Sequence, residues 1–136
     1  MNGSAGQETE KEGRMGKAVT HFEIVGRDAE ALQGFYRDVF GWEVEPAVPN
    51  YAMVYTRAGT GIDGGIGNAP EGSGATRVTI YIEVEDVGSV LTRIESLGGT
   101  RAFGPFAVPG GPTIALFNDP EGNLVGLTQS ASIQRR

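Results

Sequence analysis

The apolar and polar positions along the chain predict two helices set among several short strands. Residues 19–25, VTHFEIV, are rich in β-branched and aromatic side chains and predict a strand. Asp28 is placed as an N-cap, and Leu32, Phe35, Tyr36, Val39 and Phe40 then recur at helical spacing until Gly41 stops the helix. Phe35, Tyr36, Phe40 and Trp42 have the spacing of core packing. Residues 42–45 alternate as a short strand that Pro46 is expected to close, 51–56 (YAMVYT) form another, and 62–67 a glycine-rich one. Residues 68–76, NAPEGSGAT, read as a linker.

After the linker the pattern starts again. Residues 79–84 (TIYIEV) predict a strand, and Asp86 caps a helix with apolar positions Val87, Val90, Leu91, Ile94 and Leu97, stopped by Gly98-Gly99. Strands at 100–108, 113–117 and 123–129 follow, separated by PGGP and DPEG. An offset of 58 aligns Asp28 with Asp86, His21 with Thr79 and Gly41 with Gly99. The chain therefore reads as α+β, with two fused βαβββ modules at 17–67 and 77–130. Residues 1–16 are expected to be a disordered leader and 131–136 a frayed tail.

Composition narrows the function. The chain has 136 residues, 22 of them glycine, with no cysteine and one histidine. Without cysteine there is no disulfide, thiol nucleophile or thiolate metal site, which fits the reducing cytoplasm expected as its location. No apolar run is long enough to span a membrane, and a formal charge of −6 without a basic stripe argues against nucleic acid. The glycine stretches TGIDGGIG and VPGGP match no phosphate-binding loop, and there is no GxSxG. A small molecule or another protein is the expected partner.

Strand parity selects the candidate site. His21 and Glu23 share one face of the first strand, while Phe22 and Ile24 face the helix. Thr79, Tyr81 and Glu83 share the corresponding face of the strand after the linker. These side chains could form an acid/base pair, an offset metal site or the polar lining of a groove. Tyr51 and Tyr55 alternate on their strand and are candidates to line a pocket.

The segments THFEIVGRD with FYRDVFGW, YIEVEDV with RIESLGG, and FNDPEGNLVGLTQ together resemble the vicinal oxygen chelate superfamily of glyoxalase I, bleomycin- and fosfomycin-resistance proteins and extradiol dioxygenases. The resemblance spans about residues 17–130. It implies that the modules pair into a curved mixed sheet with an open cup, often in a homodimer. It also implies a divalent metal in metal-dependent members, held by one His, Glu or Gln from the first and last strand of each module. Carried over, the first ligand position is His21. The second falls on a glycine in the strand at 62–67, beside Asp63; the third falls on Thr79 and the fourth on Gly126. One imidazole and one hydroxyl do not make a metal site.

Three functions follow as expectations. The first is a metal-free binding protein whose acidic balance favours a cationic ligand. The second is a lyase, isomerase or dioxygenase, with a divalent metal held by His21 and relocated ligands such as Glu23, Asp63 or Glu83, or with His21 or Glu23 as a metal-free base. The third is a module of a protein assembly.

Overall fold

The computed structural model of the chain describes residues 16–70, 73 and 75–130, so most of the expected leader and the tail lie outside the described residues. Module one runs β1 (Val19–Gly26), α1 (Ala29–Phe40), β2 (Glu43–Val48), β3 (Tyr51–Tyr55) and β4 (Gly64–Asn68). Module two runs β5 (Arg77–Glu83), α2 (Val87–Ser96), β6 (Thr100–Ala107), β7 (Thr113–Asn118) and β8 (Leu124–Gln129). The strands form one open eight-stranded sheet in the order β2-β3-β4-β1-β5-β8-β7-β6, the α+β architecture expected. Its two halves join where β1 and β5 pair antiparallel, His21 opposite Tyr81 and Glu23 opposite Thr79.

Each helix is tied to its own module in the same way. Asp28 Oδ1 accepts from Ala31 N at 3.1 Å, and Asp86 Oδ1 accepts from Gly88 N at 3.1 Å. The last residue of each module's final strand adds a second cap. Asn68 Oδ1 accepts from Ala29 N at 2.7 Å, and Gln129 Oε1 accepts from Val87 N at 2.8 Å. Gly41 ends α1 with φ +73°, where a side chain would be strained, and its N–H donates to Arg37 O.

The apolar core lies between sheet and helices in two patches. Val25, Ala29, Ala52, Val54 and Ile66 are buried in module one; Val84, Val87, Leu91, Ala115 and Leu127 cluster in module two. Three expectations are corrected. First, β2 runs on through Pro46 to Val48, because it is an edge strand and proline's missing N–H leaves no ladder bond broken there. Second, β5 begins at Arg77 rather than Thr79. Third, Tyr36 does stack on Trp42, with centroids 5.3 Å apart, but Phe35 and Phe40 point outward and are 56% and 59% exposed. The stripe on α1 is thus only partly covered by its own sheet.

Candidate functional site

The concave face of the sheet encloses a cavity of about 740 Å³. Its floor comes from the two central strands, with His21 and Glu23 on β1 and Tyr81 and Glu83 on β5. A register shift between Val19 and His21 lets consecutive residues, Thr20 and His21, both reach it. Tyr51 and Met53 of β3 with Ala47 and Val48 of β2 make one wall. Val108, Gly111 and Pro112 of the β6–β7 turn with Ile114 of β7 make the other, and Thr128 lies beyond.

A hydrogen-bonded cluster centres on Glu23. Its Oε1 accepts from Arg77 Nη2 at 2.7 Å and from the Tyr81 hydroxyl at 3.1 Å, and the Tyr51 hydroxyl lies beside the same carboxylate. The Arg77 Nε donates to Thr79 Oγ1 at 3.2 Å. The Tyr51 hydroxyl also lies 3.4 Å from His21 Nε2. The Glu23 and Arg77 side chains are only 13% and 26% exposed, so the ion pair is largely withdrawn from water.

Burial sets the protonation of this floor. Desolvation holds the His21 imidazole below its usual 6.5, against the opposing pull of Glu23 and Asp63, so the ring is neutral near pH 7. Desolvation, with the Glu23 charge next in weight, pushes the Tyr51 and Tyr81 hydroxyls well above the ordinary phenol range. Both remain protonated, and Tyr81 donates to Glu23.

The candidates separate as follows. His21, Glu23, Tyr51, Tyr81 and Glu83 line the cavity. Thr79 is buried beneath it as the acceptor for Arg77. Tyr55, at the far end of β3, lies under the Arg57 guanidinium at 5.0 Å and is not among the lining residues. Asp63 is turned into its own loop, where Oδ1 accepts from Thr56 N at 3.0 Å. Sequence reasoning missed Arg77, whose signal was its parity with Thr79, Tyr81 and Glu83. The apolar walls carried no signal of their own.

The residues present do not fit a divalent ion. The implied second position corresponds to Gly65, which pairs with Glu23, and the fourth to Gly126, which pairs with Tyr81. A Cβ at Gly65 would run into the Tyr51 ring and hydroxyl, and one at Gly126 into the Tyr81 ring. The tyrosines therefore occupy the space that ligand side chains would need, and a guanidinium already satisfies Glu23. Among the described residues no group of three or more His, Asp or Glu gathers to hold a metal.

An open cup over two paired βαβββ modules defines a protein of the vicinal oxygen chelate class. The model of the Glyoxalase/Bleomycin resistance protein/Dioxygenase superfamily matches residues 18–127, and the chain belongs to that superfamily. Among solved structures it is similar to methylmalonyl-CoA epimerase from Mycobacterium tuberculosis, at 16% identity over 83% of this chain and 87% of that one, TM-score 0.64. It is also similar to a variant methylmalonyl-CoA epimerase of Streptomyces coelicolor in complex with 2-nitronate-propionyl-CoA, at 22% identity over 85% and 96%, TM-score 0.66. The Mn(II)-bound glyoxalase from Novosphingobium aromaticivorans is 22% identical over 83% of this chain but 38% of that one, TM-score 0.61. No curated protein matches the chain. Likeness at these identities speaks to fold alone.

Proposed function

We propose that this superfamily member binds a small organic molecule in its cup without a divalent metal. The observation that carries the reading is the floor of the cavity, where Tyr51 and Tyr81 lie over Gly65 and Gly126 and, with Arg77, engage Glu23. Above that floor the walls are mainly apolar, from Ala47, Val48, Met53, Val108, Pro112 and Ile114, as suits an organic ligand. Among the described residues no Lys or Arg lines the cavity, so these residues offer no counter-charge to the phosphates of a CoA ester such as the epimerase complex holds. We infer further that the protein pairs with a second copy over the exposed apolar face of α1 and β5.

A second reading rests on His21. Its imidazole is neutral, faces the cavity and could take a proton from a bound substrate, making the protein a metal-free lyase or isomerase. One measurement separates the readings from a metal enzyme. Chelator-free protein is titrated with nickel, zinc, manganese and iron(II) while apolar small molecules are screened by thermal shift. We expect no stoichiometric metal at tens of micromolar and a rise in Tm with organic ligands. Stoichiometric binding abolished by His21→Ala would overturn the metal-free reading. Turnover of a bound compound that His21→Ala removes would select the enzyme.

A further inference from the structure

Among the described residues the cup is lined by two carboxylates, and only one of them has a counter-charge. Glu23 is matched by Arg77 at 2.7 Å. Glu83, two residues beyond Tyr81 on the same strand face, is half-buried and lines the cavity. Among the described residues its carboxylate takes part in no ion pair and no side-chain hydrogen bond. The other titratable groups lining the cavity are neutral near pH 7: His21 through desolvation, Tyr51 and Tyr81 because they stay protonated. Among the described residues, the charge that the lining presents to an occupant is therefore a single unbalanced negative one, at Glu83.

Its neighbours suit a particular group. Thr128 stands opposite Glu83 in the β5–β8 register, and the hydroxyl-bearing residues Thr128 and Thr20 both line the same cavity. An ammonium has three N–H donors, which a carboxylate and adjacent hydroxyl oxygens can accept together. A neutral apolar molecule closing over Glu83 would instead strip water from a charge and return nothing. A carboxylate or phosphate would meet it with the same sign. Resting on the reading of the cup as an organic-ligand site, we propose that Glu83 anchors a protonated amine. The ligands of this cup are then apolar molecules carrying one ammonium group, with the apolar part against Val48, Met53, Val108 and Ile114.

The test uses the full chain at low salt near neutral pH, with calorimetry on matched pairs of apolar amines and their alcohol isosteres. The first pair is 2-naphthylmethylamine and 2-naphthylmethanol, with 2-naphthoate as the anion. The amine of each pair is expected to bind about tenfold tighter or more than its alcohol, and the anion weakest. Glu83→Gln, checked for folding by circular dichroism, should bring the amine down to the level of the alcohol while leaving the alcohol's binding in place. Equal binding of amine and alcohol, or an amine preference that survives Glu83→Gln, would overturn the anchor and leave the organic-ligand reading standing. Binding of no member of the panel would overturn that reading, and the anchor with it.

Discussion

At the residue scale the floor of the cup is held by a charge pair whose partners are 54 positions apart in the chain. Removing the cation would leave Glu23 charged and largely withdrawn from water, compensated only by tyrosine hydroxyls. Arg77→Met is therefore expected to cost about 2–4 kcal/mol in urea unfolding, with part recovered when Glu23→Gln is added. A loss no larger than that of an exposed arginine would mean the pair is solvated in solution. His21 makes a pH prediction that is clean because it is the only histidine. Its pKa is depressed on folding, so the unfolded chain binds more protons as pH falls below 6.5. Stability is thus full above that value and drops as the pH falls toward the folded-state pKa. Between about pH 7.5 and 5.5 the wild type should lose Tm relative to His21→Gln, and parallel curves would contradict the burial of the ring. The two tyrosines act with the opposite sign, their share being lost only as pH rises above 10.

At the scale of elements, each module repeats one device: a helix capped by its own Asp and again by an amide from the end of the last strand. The Asp caps were legible, since Asp28 and Asp86 stand immediately before the helical periodicity. The amides were not, because Asn68 meets Ala29 and Gln129 meets Val87 only once β4 and β8 have been placed beside their helices. The tyrosine–glycine contacts belong to the same scale. Gly65→Ala would put a methyl group into Tyr51 and is expected to destabilise by about 1–3 kcal/mol. In the double variant with Tyr51→Ala the total loss should be smaller than the sum of the two single losses. Simple additivity, read from denaturation midpoints, would show that the ring does not occupy the space over Gly65.

At the scale of the whole molecule, the outer face is unusually apolar for an acidic chain. Val78 is 70% exposed and Phe35 56%, and both border a hollow shared with Ile24, while Ile80 lies one strand step further along. Helical periodicity marked Phe35, Val39 and Phe40 for burial, and the chain's own sheet leaves them uncovered. A second copy would cover them, and sedimentation at micromolar concentration is expected to give a dimer that Val78→Glu with Ile80→Glu converts to monomer. A wild-type monomer up to about 100 μM would sink the pairing. The sequence by itself determined the elements, the repeat and the cup-facing parity of His21, Glu23, Tyr81 and Glu83, because periodicity, capping and turn chemistry act over a few residues. Only the tertiary structure decided that Arg77 answers Glu23, that Tyr51 and Tyr81 fill the space over two glycines, and that Glu83 has no charge partner among the described residues. Those relations depend on strand register between distant segments, where a shift of one residue would turn each of these side chains to the other face of the sheet.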